Sequence, residues 1–216
     1  MKISTLMTGT VLTLGVALGL ALPVSAQAAA PQETTQVAPA PATPERPLIE
    51  RLINTPFVQN WNTWGLSAPP QPHAAQGVTG GQALTIDVTR AGDPWSVGAV
   101  MVNTGAIKAG DVLLLGVWVR ATGLPEGAFE TRIPLLLLEG SAEPKVRLAE
   151  ASFVAVGSEW KMIYASGVAS VDVAAGQSAI ILQMGQAEHR LELGPALLFD
   201  FGPDYDRARL PRNPGS

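Results

Sequence analysis

The chain has 216 residues and a mass of 22.5 kDa. At roughly 150 residues per domain that bounds it to one principal domain, short of the ~250 residues of a typical (β/α)8 barrel enzyme. Lys and Arg number 14 against 18 Asp and Glu, a net charge of −4 with no basic stripe, which excludes nucleic acid as the expected partner. Cysteine is absent and only His73 and His189 supply imidazole, so disulfides, thiolate metal sites, a cysteine nucleophile and histidine clusters are all excluded.

Residues 1–26 read as a signal peptide. Lys2 gives the positive start, residues 3–26 carry no charge, and 11–22 are the apolar stretch. Val24-Ser25-Ala26 and Ala26-Gln27-Ala28 are small-x-Ala cleavage sites. The stretch is shorter than the ~20 apolar residues of a spanning helix, so a cleaved leader is expected rather than a transmembrane anchor. Export to the periplasm or the medium follows. Residues 27–47 are rich in Ala, Pro, Gln and Thr, with Pro at 31, 39, 41, 44 and 47, the composition of a semi-extended linker. The folded domain is expected over 48–202. Residues 203–216 read as a polar tail.

Within the domain, short runs of alternating apolar and polar residues predict strands. The first, 83–89, sets Leu84, Ile86 and Val88 against Thr85, Asp87 and Thr89. The second, 95–102, ends at Asn103-Thr104-Gly105. The third, 111–120, is opened by Lys108-Ala109-Gly110 and closed by Gly123-Leu124-Pro125. Then come 129–139 with Gly140 after it, 146–156 ending at Gly157-Ser158, 160–168, 178–184, and 190–201 with an interruption at Gly194-Pro195. No window beyond the leader carries a helical apolar stripe. Eight strands without helices predict an all-β fold, two packed antiparallel sheets in a jelly-roll sandwich. The runs 112–115 and 133–138 are apolar on both faces, as in central strands covered on both sides.

Catalytic motifs are missing. There is no Gly-x-Ser-x-Gly elbow, no His-Glu-x-x-His and no phosphate loop. Ser158 and Lys161 make a literal Ser-x-x-Lys, but at a strand start rather than a helix start. Asp93, Asp111, Glu126, Glu159 and Asp204 sit at turns, leaving Glu139, Glu192 and Asp87 as nominal candidates for the paired carboxylates of a glycosidase. The aromatics are more suggestive. A sugar offers a flat C–H face to an aromatic ring and hydroxyls to Arg, Gln, Asn or Glu. Of the five tryptophans, Trp160 alternates with Met162 and Tyr164 and reads as core. Trp118 shares a face with Val112, Leu114, Gly116 and Arg120, and lines an open sheet face or packs inside. Trp95, after Asp93-Pro94, lines a cleft mouth or caps the core.

Gln82-Ala83-Leu84-Thr85-Ile86 followed by Pro94-Trp95-Ser96-Val97-Gly98 resembles the opening of CenC-type carbohydrate-binding modules. Ile107-Lys108-Ala109-Gly110-Asp111 leading into Gly116-Val117-Trp118-Val119-Arg120-Ala121, the Glu159-Trp160-Lys161 strand start, and Leu182-Gln183-Met184-Gly185 with Leu191-Glu192-Leu193-Gly194-Pro195 resemble their later strands, in order, over 48–202. The resemblance implies a galactose-binding-like jelly roll that holds glycan chains in a groove on the concave sheet. It implies that Trp95 stacks on a sugar ring, and that Trp118, Arg120 and Gln183 line the groove. Such modules often hold one structural calcium; Asp200 matches an Asp of that site, whereas Phe57-Val58-Gln59 lacks the matching Glu.

The sequence thus points to a secreted, non-catalytic polysaccharide-binding protein with no cofactor beyond that calcium. Its alternatives are a cell-envelope protein-interaction sandwich with a decayed sugar site, and a small accessory glycoside hydrolase. A glycoside hydrolase or an envelope protein is the expected protein partner.

Overall fold

The computed structural model describes residues 46–214. The leader, and the linker up to residue 45, lie outside the described residues. Ten strands follow in chain order: β1 (Asn62–Trp64), β2 (His73–Ala74), β3 (Gln82–Val88), β4 (Gly98–Asn103), β5 (Val112–Gly123), β6 (Thr131–Gly140), β7 (Arg147–Val156), β8 (Lys161–Val168), β9 (Ser178–Gln183) and β10 (His189–Asp200). All eight predicted strands are present, as β3 to β10. The two others are edge strands of three and two residues, too short for alternation to declare them.

The strands lie in the order β1-β4-β9-β6-β7-β8-β5-β10-β3-β2, every neighbouring pair antiparallel. Hydrogen bonding is continuous, but β7 and β8 share a single register pair, Glu150↔Ser166. That seam divides the sheet into two five-stranded halves. Side chains alternate across a strand, and the inward set of both halves merges into one core: Ala99 and Met101 of β4, Leu136 and Leu138 of β6, and Ile180 and Leu182 of β9 meet Leu113, Leu115 and Val117 of β5, Leu191 and Leu198 of β10, and Ile86 of β3. This is the all-β sandwich that the alternation predicts.

The predicted interruption at Gly194-Pro195 is a bulge, where the β10–β5 register shifts between Leu193 and Ala196. Proline has no N–H for the ladder and is tolerated at such a bulge. The carbonyls freed there are taken by the N-terminal segment. Trp61 Nε1 donates to the Gly194 carbonyl at 3.0 Å, and Asn54 Nδ2 to the Ala196 carbonyl at 2.9 Å. Asn54 Oδ1 in turn accepts the Leu198 N–H at 2.8 Å.

The C-terminal residues 203–214, polar in sequence, lie against the outer face of the β8-β5-β10 region. Leu210 packs with Val112, Leu114 and Phe199 in a second apolar cluster, flanked by Leu52, Phe201 and Tyr205. This explains why 112–115 is apolar on both faces. Arg51 sets its guanidinium over the Phe201 ring at 4.9 Å. Asn213 closes the arrangement: its Oδ1 accepts the Tyr164 N–H at 2.9 Å and its Nδ2 donates to the Tyr164 carbonyl at 2.7 Å. One carboxamide therefore takes the place of a neighbouring strand beside β8.

Candidate functional site

Inward residues fix where the others point, so burial and register place each candidate. In β5, Val117 and Val119 are fully buried, which turns Trp118 and Arg120 to the outer face of the β8-β5-β10-β3-β2 half. In β9, Ile180 and Leu182 are fully buried, which turns Gln183 to the outer face of the other half. Trp118 and Arg120 therefore do not share a surface with Gln183, and no one groove holds all of them.

Arg120 is also committed. Its Nε and Nη2 donate to Glu192 Oε2 at 2.7 and 2.6 Å, and its guanidinium lies 4.9 Å from the centre of the Trp160 ring. His73 Nε2 meets the other Glu192 oxygen at 3.2 Å. The indole N–H groups of Trp118 and Trp160 are buried without a hydrogen-bond partner. Trp160, expected in the core, lies on this outer face beneath the Arg120 guanidinium. The cluster is an ionic and aromatic patch in which Arg120 and His73, both still partly exposed, are tied to Glu192.

The other outer face is open. The register aligns Trp64, Gly98, Gln183, Leu135 and Ser152 in one row across β1, β4, β9, β6 and β7. A Cβ added at Gly98 would lie 2.2 and 2.4 Å from Trp64 Cζ2 and Cη2, so the absence of a side chain at Gly98 is what seats the Trp64 ring on the sheet. Trp64 remains partly exposed. Its indole N–H donates to the Trp95 carbonyl at 2.8 Å, and Trp95, in the 3-10 turn Pro94–Ser96 before β4, is 60% exposed. Trp64, Trp95 and Gln183 are thus brought to one end of this face. The next rows carry Val100 against Ile181 and Val102 against Ala179, an apolar strip with polar groups at its margins. At a strand spacing of about 4.8 Å, the row from Trp64 to Ser152 runs for roughly 19 Å. Trp64, like Trp61, is a tryptophan that sequence reasoning left unassigned; its only signal is its place ahead of the alternating region, matched by a glycine at the start of β4.

The nominal carboxylates do not converge. Glu192 is held by Arg120 and His73, and Asp87 by Arg190 at 2.8 Å. Glu139 stands on the opposite half of the sheet. A glycosidase needs two acids facing one cleft, and these three do not supply such a pair.

Asp200 is held above the usual carboxylate range by burial, and the Asp111 carboxylate against it adds to the shift; the Gly202 N–H and Arg46 pull the other way. A calcium ion wants six to eight oxygens. Here Asp200 Oδ1 already accepts the Gly202 N–H at 2.7 Å, and Asp111 Oδ2 the Lys108 N–H at 2.7 Å. Arg46 brings positive charge to the same place. Among the described residues no group of three or more His, Asp or Glu gathers as a metal would need. Asp200 and Asp111 are thus the two carboxylates that this place would offer a cation, alongside backbone carbonyls.

His189 is 4% exposed, with Nδ1 at 2.7 Å from Thr131 Oγ1. Burial pushes its pKa down, and the nearby Met184 carbonyl offsets part of that. A lowered folded-state pKa means that the unfolded chain binds the proton more tightly. His189 therefore contributes stability that is present above the unfolded value of about 6.5 and is lost as pH falls below it. Denaturation midpoints should drop on acidification through that range, and His189→Gln should flatten the slope there. An unchanged slope in the variant removes His189 as its source.

Among the described residues no helix is long and apolar enough to cross a membrane. No family model and no curated protein matches the sequence. Among solved structures, the chain is similar to the N-terminal cellulose-binding domain of β-1,4-glucanase C from Cellulomonas fimi, at 19% identity and a TM-score of 0.49 over 68% of this chain and 91% of that one. It is also similar to the second N-terminal cellulose-binding domain of that glucanase, at 15% and 0.49 over 74% and 98%. A xylan-binding domain from Paenibacillus barcinonensis is similar at 14% and 0.45, over 70% and 92%.

Proposed function

We propose that the protein is an exported, non-catalytic polysaccharide-binding module that uses the open outer face of the β1-β4-β9-β6-β7 half. The observation that carries this reading is the row Trp64–Gly98–Gln183, a tryptophan seated over a glycine beside an outward amide. A sugar ring stacks on Trp64, Trp95 adds a second aromatic surface at the same end, and Gln183 hydrogen-bonds hydroxyls. The apolar strip of Val100, Ile181 and Leu135 takes the C–H faces of further rings. Export rests on the leader composition of residues 1–26.

Affinity electrophoresis of the purified protein against soluble cellulose derivatives, other glucans and xylans tests it. One polymer class should retard the wild type. Stacking contributes about 0.5–1.5 kcal/mol beyond the area that it buries, and each 1.4 kcal/mol is about a tenfold change in affinity. Trp64→Ala should therefore weaken binding about tenfold or more, Trp95→Ala less, and Trp118→Phe not at all. Loss in Trp118→Phe with no loss in Trp64→Ala would put the site on the other face.

The second reading is protein interaction through the same face. Its support is the apolar strip, where Val102 is 53% exposed. No retardation by any polymer, together with capture of a defined envelope protein that Val102→Asp abolishes, would replace the first reading with this one.

A further inference from the structure

Beyond their single register pair β7 and β8 part, and a cleft of about 510 Å³ opens at the seam. Its polar lining includes Ser152, Ser166, Tyr164, Arg207 and Arg212. Both arginines are exposed, and among the described residues neither guanidinium has an ion-pair partner. The one carboxylate on the cleft, Glu150, is already neutralised by Arg147 at 2.6 Å.

The arginines are held on a fixed segment. Asn213, next to Arg212, is bound to both backbone groups of Tyr164. Asp206 Oδ1 accepts the Ala208 N–H at 2.9 Å and so caps the turn that carries Arg207. Leu210 between them is 5% exposed, packed in the second apolar cluster. A net charge of −4 offers no general attraction for polyanions, so two unpaired guanidinium groups here are a local feature. Guanidinium groups pair with carboxylates in a planar, two-bond geometry that a lysine does not reproduce. The three hydroxyls match a carbohydrate. Ser152 also ends the row that starts at Trp64.

We propose that this cleft binds the carboxylate of a uronic acid, so that the polysaccharide recognised is an acidic one, its backbone lying on the open face and its carboxylate entering the seam. The inference rests on the glycan reading for the backbone and adds the charge.

The test compares one uronate-bearing polysaccharide with the same polymer after its carboxyl groups have been reduced to alcohols, by affinity electrophoresis at low and high salt. The wild type should bind the native polymer about tenfold or more tightly than the reduced one, and added salt should shrink the difference. The double variant R207Q/R212Q, which changes only exposed side chains, should bring the native polymer down to the affinity of the reduced one. Trp64→Ala should weaken both. Equal wild-type binding to the two polymers overturns the uronate assignment and leaves the glycan reading standing. Binding to neither overturns both. Dextran sulfate is the control for charge alone: retardation as strong as by the uronate polymer, lost together with it in R207Q/R212Q, overturns the assignment to a carboxylate.

Discussion

Gly167→Ala is expected to lower the unfolding free energy by about 3 kcal/mol, the upper part of the range for forcing atoms into a well-packed site, and to lower Tm by about 6–12 °C for a protein of this size. A Cβ at this position of β8 would lie 1.9 Å from the Leu148 carbonyl oxygen, 2.8 Å from its carbon and 3.0 Å from the Ala149 Cα. All three are backbone atoms of β7, and none can rotate away as a side-chain tip would. The two strands share only the Glu150↔Ser166 register pair, so the added methyl has to push apart the one place where the halves meet edge to edge. Equilibrium denaturation monitored by tryptophan fluorescence measures it. A loss below about 1 kcal/mol would mean that the seam opens freely, and that its closeness contributes little to holding the halves in place.

Asn54→Ala should destabilise by about 2–4 kcal/mol. Each buried backbone group left without a partner costs about 1–3 kcal/mol, and this carboxamide serves two, the Ala196 carbonyl and the Leu198 N–H. The bulge in β10 makes the residue necessary, because the register shift takes the strand off its regular ladder where Asn54 reaches it. Asn54→Asp is the informative companion. It keeps an acceptor for Leu198 but sets a carboxylate oxygen against the Ala196 carbonyl, and should be at least as damaging at neutral pH. Amide exchange at Leu198 gives the local readout: protection there should fall in Asn54→Ala by more than at Ile163 of β8. A uniform loss would mean that Asn54 acts on global stability alone.

Much of the fold was legible because an antiparallel sandwich writes its burial as period-two alternation. Leu84, Ile86 and Val88 point inward in β3 as the pattern requires, and Gly194-Pro195 marked the bulge. The candidate site was less legible. Parity tells which residues of one strand share a face; it does not tell which half of the sandwich the strand joins. Trp118, left between an open face and the core, and Gln183, placed only by the resemblance, both turn outward, yet β5 pairs with β8 and β10 while β9 pairs with β4 and β6. Those pairings are long-range, and they put the two residues on opposite surfaces. Arg120 was available to a ligand in sequence only because Glu192, its partner, lies far along the chain. The seat of Trp64 depends on a glycine in another strand, which no local pattern announces. Asn54 and Asn213 sit outside the alternating strands, where their carboxamides look like ordinary loop residues.

The placement of Asn213 has a mechanical consequence. It lies near the end of the described chain and joins the terminal segment to Tyr164 through one carboxamide. Tension applied at the C-terminus reaches the sheet through side-chain contacts of this kind, the Asn213 hydrogen bonds, the Leu210 contact and the Tyr205 ring packed on Phe201 and Arg51 among them, before any strand register is loaded. The terminal segment is therefore a weak link in series with a strong sheet: under a pull it peels away first, taking Arg207 and Arg212 with it, while the sandwich keeps its shape.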